Sequence, residues 1–188
     1  MKIEIGSNFW EYSISGYRKE KFWWESDKYS KLYFKSGRNA FKAICESLKL
    51  HEKKVLFPAY HCETESNPWY ENNWAVAYYT VDENFRVDAQ KLDDAIRMFS
   101  PTVLVIQSYF GFESYDKKCE SVLHKYKMSG GIIIEDITQT LLSDIKHEIS
   151  DFYVCSFRKF FAIPDGGVLI SRKAISIDDI FIADLKFL

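Results

Sequence analysis

The sequence predicts an α/β protein of three layers (α/β/α), in which helices cover both faces of a mostly parallel central sheet. Segments with helical periodicity alternate with short apolar segments from residue 37 to residue 171. One apolar segment, GIIIED at 131–136, is continuous, which is typical of a strand buried on both faces. The chain has 188 residues, of which 47% are hydrophobic, enough for one domain with a substantial core.

The elements follow one another in order along the chain. The predicted helices are 37–49, 87–99 and 113–128, and the predicted strands are 53–58, 74–81, 102–107, 131–136, 151–157 and 166–171. In the first helix one face carries Phe41, Ile44, Cys45 and Leu48. The second helix has Asp88 as its N-cap, and the glycines of 129–131 end the third.

Composition and charge exclude several classes of protein. The net charge is −2, so no basic surface predicts a nucleic-acid partner. The N-terminus lacks the apolar run of a signal peptide, and no segment is long enough to span a membrane. The four cysteines are widely spaced, which fits neither a zinc site nor a disulfide framework. We therefore expect reduced thiols and a cytoplasmic location.

Candidate site residues follow the strands, since ligands of open parallel sheets bind beyond the carboxyl ends of the strands. Asp136 comes directly after the buried strand, and Gln139 lies three residues further on. Asp136 either caps a following helix or faces a cation, which could be a protonated ring nitrogen or a metal. A lone carboxylate has poor spacing for a metal site, so no metal is expected.

Two further segments have both an ordinary and a functional interpretation. Ser36 and Gly37 precede the first helix, where free N–H groups and a glycine can hold a phosphate, or where Ser36 or Asn39 caps an ordinary helix. In Ser156-x-x-Lys159, either Arg158 and Lys159 are a surface basic pair, or Ser156 is a nucleophile with a lysine base, or Lys159 forms a Schiff base beside a phosphate-binding serine. Neighbouring phenylalanines are expected to bury Lys159, which would make its amine nucleophilic.

Taken in order, these motifs resemble those of the DegT/DnrJ/StrS family of pyridoxal-phosphate-dependent sugar aminotransferases. SGRNAF at 36–41 is similar to the phosphate-binding segment of that family. VLFPAYHC at 55–62 resembles its Val-x-x-Pro strand end, and QSYFGF at 107–112 its aromatic-Gly turn. IIEDITQT at 133–140 resembles its Glu-Asp-x-x-Gln, and KFFAIPDGG at 159–167 its Lys-x6-Gly-Gly. The resemblance implies the large domain of the aspartate-aminotransferase fold.

The resemblance also implies roles for individual residues. Lys159 would form the internal aldimine with pyridoxal 5′-phosphate and move the substrate proton. Asp136 would face the pyridine nitrogen, and Gln139 the phenolic oxygen. The residues implied to hold the phosphate are Gly37, Arg38, Asn39 and Ser156.

Four departures from the family pattern accompany the resemblance. Ser156 lies three residues before Lys159, where the family places its serine five before. Cys62 occupies the place of the ring that stacks on the cofactor, so Tyr60 or His61 is expected to substitute. Arg38 replaces a small hydroxyl residue. Finally, the sequence ends at Leu188, whereas family members are about twice as long, so the small C-terminal domain is expected to be missing.

These motifs lead to a predicted organisation and function. We expect an N-terminal segment at 1–35, a cofactor-binding large domain at 36–175 and a C-terminal tail at 176–188. The predicted activity is amino transfer from a glutamate-like donor to a keto-sugar, possibly nucleotide-linked, or to a related carbonyl acceptor in sugar or polysaccharide biosynthesis, by a homodimer. The alternative is a truncated homologue without catalysis, which binds the cofactor or pairs with another chain.

Overall fold

The computed structural model describes residues 22–172, and seven strands within them form one sheet. The strands are β1 (Ser30–Phe34), β2 (Lys54–Pro58), β3 (Ala75–Tyr79), β4 (Val103–Gln107), β5 (Ile132–Asp136), β6 (Phe152–Ser156) and β7 (Gly167–Ser171). Their order is β1-β7-β6-β5-β4-β2-β3. All pairings from β3 to β6 are parallel, whereas β7 runs antiparallel to both β6 and β1. The prediction of a mostly parallel sheet is confirmed.

Helices cover both faces of this sheet. They are α1 (Gly37–Ser47), α2 (Glu63–Glu71), α3 (Ala89–Phe99) and α4 (Lys117–Met128). Because side chains alternate along a strand, Ile134 is buried beneath α1 and α2, while its neighbour Ile133 is buried beneath α3 and α4. This confirms the predicted three-layer α/β architecture. Between residues 22 and 172, no helix has the length and apolarity that crossing a membrane requires.

One strand and one α-helix were missed, and the largest boundary error is at the start of α4. Strand β1 pairs with β7, although neither periodicity nor turn residues marked it in the sequence. Helix α2 contains Pro68 and has weak apolar periodicity, so its sequence resembled a loop. Helix α4 begins at Lys117 instead of 113, because the Asp116 carboxylate accepts the N–H groups of Lys118 and Cys119 as an N-cap. The predicted tail at 176–188 lies outside the described residues.

A buried ion pair ties β5 to the loop that precedes β6. His147 Nδ1 lies 3.0 Å from Glu135 Oε1, and its Nε2 lies 3.4 Å from Glu113 Oε1. The other oxygen of Glu135 accepts hydrogen bonds from the Ser150 hydroxyl and the His147 N–H, each at 2.9 Å. Burial alone would lower the pKa of His147, but its interactions with the carboxylates of Glu113 and Glu135 outweigh burial and raise the pKa to about 10.

His147→Gln is expected to lower the free energy of unfolding by about 3 kcal/mol at pH 7, because it leaves a buried carboxylate without its cation. A histidine whose folded pKa is raised contributes fully below its unfolded pKa of about 6.5, and this contribution is lost as the pH rises towards about 10. The difference from wild type should therefore shrink between pH 7 and pH 10. Urea unfolding across this range measures it, and the exposed His124→Gln is the control. A difference that stays constant with pH would contradict the ion pair.

Candidate functional site

The predicted site residues collect at the carboxyl edge of the sheet, on the face that α1 covers. Asp136 ends β5 and pairs in register with Gln107 of β4 and Val154 of β6. Asp136 and Ile134 lie two residues apart, so both side chains point towards the α1 layer. The topology therefore brings Asp136 to the same edge as the N-terminus of α1.

The N-terminus of α1 meets the end of β6. Ser36 is the N-cap, and its Oγ accepts a hydrogen bond from the Asn39 N–H at 3.3 Å. A Cβ placed on Gly37 would lie 3.3 Å from the Cβ of Ser156. The first turn of α1, with its orphan N–H groups, is thus beside the Ser156 side chain. Ser36 Oγ engages the Asn39 N–H, which the resemblance implied for a phosphate. The N–H groups of Gly37 and Arg38 lie in the same first turn, where the helix itself offers no acceptor.

Gly167 explains how β7 passes this helix end. A Cβ at residue 167 would lie 2.3 Å from the carbonyl carbon of Ser36 and 2.6 Å from the nitrogen of Gly37. Gly166 has a φ of +112°, a backbone conformation that other residues rarely adopt. The glycine pair therefore lets the strand after Lys159 contact the backbone at the start of α1.

Asp136 is buried at the edge of the sheet. Its Oδ1 accepts the Thr138 N–H at 2.7 Å, and a turn rather than a helix follows, so it is not a helix cap. Burial raises the pKa of Asp136 to about 6, although hydrogen bonds from Thr138 oppose the increase. The Thr138 hydroxyl in turn accepts the Ser156 N–H at 3.1 Å, which links β5 and β6 at the site. Within residues 22–172 no cluster of side chains could hold a metal ion.

Gln139 supports the turn that follows β4. Its Oε1 accepts the N–H of Phe110 at 2.8 Å, and Phe110 has a φ of +53°. This bond holds an uncommon left-handed residue in place. Because the oxygen is occupied, the amide nitrogen is the atom of Gln139 that remains to donate to a ligand.

Lys159 lies in a 3₁₀ turn, Phe157–Lys159, directly after β6. Its side chain is exposed, so the expected burial by neighbouring phenylalanines is wrong for this chain. Phe157 and Phe160 instead pack against the cluster around Trp24, on the other face of the sheet. The predicted lysine is therefore at the site's edge but open to water.

The two candidates for the stacking ring have other partners. The Tyr60 ring is exposed and packs against Phe85 and Tyr109. The His61 ring stacks near Phe57 and Tyr78, and its Nε2 is 2.9 Å from Ser66 Oγ. His61 Nδ1 is buried without a hydrogen-bond partner. Both residues nevertheless line the cavity at this edge.

This cavity has a volume of about 290 Å³ and contains two residues that sequence reasoning missed. It is lined by Tyr60, His61, Cys62, Glu65, Gln107, Tyr109 and Gln139. The missed residues are Glu65 and Gln107, and each has one buried oxygen without a hydrogen-bond partner. Only the register of α2 turns Glu65 inward, and this helix was not predicted. Gln107 could have been found, since it ends a buried strand in the way that Asp136 does.

Comparisons with known proteins find the fold among solved structures only. No family model matches the chain, and no curated protein matches it. NtdA of Bacillus subtilis, solved with bound cofactor PMP, superposes with a TM-score of 0.65 at 19% identity, over 77% of this chain and 33% of that one. PseC of Helicobacter pylori, an aminotransferase of pseudoaminic acid biosynthesis, superposes with a TM-score of 0.64 at 17% identity. The match covers 77% of this chain and 40% of PseC. The sugar aminotransferase CalS13 of Micromonospora echinospora superposes with a TM-score of 0.61 at 15% identity, over 76% of this chain and 42% of CalS13.

The matched part is less than half of each neighbour, since the chain covers between 33% and 42% of these three proteins. At such low identity the likeness concerns the fold. The seven-stranded sheet with its two helical layers has the fold of the pyridoxal-phosphate-dependent transferases.

Gly167→Ala is expected to lower the free energy of unfolding by about 2–3 kcal/mol, because the new methyl group would overlap the backbone of Ser36 and Gly37. The control is Gly130→Ala, where φ is +93° and no atom lies within 4 Å of a new Cβ. This control carries only the backbone strain of about 1 kcal/mol. Urea unfolding compares the two, and equal losses would contradict a steric role for Gly167.

Proposed function

We propose that this chain binds pyridoxal 5′-phosphate at the carboxyl edge of its sheet and belongs to an aminotransferase. One observation carries the proposal: through the contact of Gly37 with Ser156, the N-terminus of α1 lies next to the end of β6, which Lys159 follows and which neighbours the end of β5 with Asp136. The cavity with its unpartnered polar atoms lies at the same edge. Phosphate, ring and aldehyde of the cofactor thus each have residues suited to them.

The phosphate end is served by the start of α1. The N–H groups of Gly37 and Arg38 and the positive end of the helix dipole favour a dianion there. Ser156 does not cap the 3₁₀ turn that follows it, so its hydroxyl suits a phosphate oxygen. Gly37 keeps this cradle open, because any side chain there would press on Ser156.

The ring end is served by Asp136. Its pKa of about 6 leaves the carboxylate mostly ionised at neutral pH, in a buried place where a cationic ring nitrogen compensates the charge. When bound, pyridoxal phosphate supplies an electron sink for chemistry at the substrate carbon. Lys159 would supply the amine that holds the cofactor and would carry a proton, while the Gln139 amide would donate to the phenolic oxygen.

The finer assignment extends this proposal. A glutamate-like donor and a keto-sugar or related carbonyl acceptor are the substrates that we infer, in cytoplasmic sugar or polysaccharide biosynthesis. CalS13, a sugar aminotransferase, and PseC, an aminotransferase of pseudoaminic acid biosynthesis, support this class. A homodimer is part of the proposal, and exposed apolar side chains near the site favour such a partner, namely Tyr33, Phe110, Phe112, Phe161 and Ile163.

A second candidate function rests on the exposure of Lys159. In water this lysine lacks the surroundings that make an amine nucleophilic, so another polypeptide has to cover it before catalysis. The chain on its own would then bind the cofactor without transferring an amino group. Both candidate functions include binding of the same cofactor, but only the first includes catalytic amino transfer.

Mixing the purified protein with pyridoxal 5′-phosphate is expected to produce a visible absorbance band that borohydride removes, with the label on Lys159 by mass spectrometry. Lys159→Ala should abolish the band, and Lys125→Ala, an exposed lysine on α4, should retain it. A band that persists in Lys159→Ala would contradict the proposal. Loss of the band on addition of glutamate would exclude the candidate without turnover.

Asp136→Asn is expected to weaken the binding of pyridoxine 5′-phosphate about tenfold or more, because a charge-assisted hydrogen bond to the ring nitrogen is lost. This probe has the ring and phosphate but no aldehyde, so Lys159 does not affect it. Calorimetric titration at pH 7 measures the affinity, with the exposed Asp144→Asn as control. Unchanged affinity in Asp136→Asn would place the ring elsewhere.

A further inference from the structure

We propose that Glu65 is a positioning residue of this site, held without charge so that its carboxyl group donates a hydrogen bond to an oxygen of the bound ligand. The ligand in this statement rests on the proposed function. Glu65 is only 9% exposed and lines the cavity. Its Oε1 accepts the Cys62 N–H at 3.3 Å, whereas Oε2 is buried without any partner. A buried polar atom that faces a cavity without a partner marks a place for a ligand atom.

The groups around Glu65 favour the protonated form. Burial raises its pKa well above the ordinary value, and the charges of Asp136 and Cys62 raise it further. The Cys62 N–H and Lys159 oppose this increase, but Lys159 is exposed. Tyr109, whose own pKa is raised by burial and by Glu65, offers no positive charge. A protonated carboxyl turns Oε2 from an acceptor into a donor.

The cavity then has complementary polar atoms. Glu65 provides a donor, and the unpartnered Oε1 of Gln107 provides an acceptor beside Asp136. The charge of Asp136 is one cause of the raised pKa of Glu65, so an ionised Asp136 favours a neutral Glu65. Two carboxyl groups with different protonation states can therefore serve one ligand, Asp136 as the anion for a cation and Glu65 as the neutral donor for an oxygen.

The protonation of Glu65 can be tested without a ligand. A carboxyl group with a raised folded pKa contributes stability at low pH that is lost as the pH rises, and Glu65→Gln cannot undergo this loss. Between pH 4.5 and pH 8, the folded-to-unfolded ratio of Glu65→Gln should therefore rise relative to wild type by about tenfold or more. Urea unfolding measures the ratio. Glu63→Gln removes an exposed carboxyl from the same helical turn and should show no such trend. A flat difference for Glu65→Gln would overturn the proposal.

The donor role is tested by titration with pyridoxine 5′-phosphate at pH 7. Glu65→Gln retains an N–H donor and should bind within about threefold of wild type, whereas Glu65→Leu should bind about tenfold more weakly. Wild-type affinity in Glu65→Leu, or an equal loss in both variants, would overturn the donor role. If the wild type does not bind this probe, the proposed function fails and the ligand role fails with it, while the pH series still decides the protonation of Glu65.

Discussion

The close approach of β7 to the N-terminus of α1 is the constraint on which the site depends. Gly167 touches the backbone of Ser36 and Gly37, and Gly37 in turn touches Ser156. A Cβ at residue 167 would overlap this backbone, and one at residue 37 would crowd the Ser156 side chain, so the two glycines keep the helix end beside Ser156 and the turn that carries Lys159. The contact that packs β7 against α1 therefore also positions the N–H groups at the start of α1. These are the backbone groups that would bind an anion.

Because side chains alternate along β5, the neighbouring acids Glu135 and Asp136 face opposite sides of the sheet. Glu135 points to the α3 and α4 face, where His147 and Ser150 satisfy both of its oxygens. Asp136 points to the α1 face and the open edge, where its partners are the N–H and hydroxyl of Thr138. The ion pair of Glu135 holds β5 to the loop before β6, which stabilises the strand that presents Asp136. Glu135 thus has a counter-charge within the fold, whereas the hydrogen-bond partners of Asp136 are neutral groups.

Local sequence patterns predicted the central strands, two helical layers and the edge where the site lies. They did so because the GIIIED run and the periodicity of α1 and α3 reflect burial directly. They failed where long-range contacts decide the outcome. Strand β1 exists through its pairing with β7, and α2 forms although Pro68 interrupts it. Glu65 was missed for the same reason, since only the register of α2 and the packing of the sheet turn it inward. The exposure of Lys159 could not be predicted either, because the sequence does not show against which face of the sheet the neighbouring phenylalanine rings pack.

The ionisable groups at the edge of the sheet differ in how far the described residues bury them. Glu65 lies in the first turn of α2, where the helix dipole favours an anion by only about 0.3–1 kcal/mol. Burying an unpaired carboxylate costs several kcal/mol, so burial determines its protonation. The pKa of Asp136 is raised to about 6, so its carboxylate is mostly ionised at neutral pH and can meet a cation. Both carboxyl groups are in place within this chain. Lys159 is exposed, and removing water from its amine requires a further surface. The two buried carboxyl groups are thus fixed by the described residues, while burial of the Lys159 amine would need a surface beyond them.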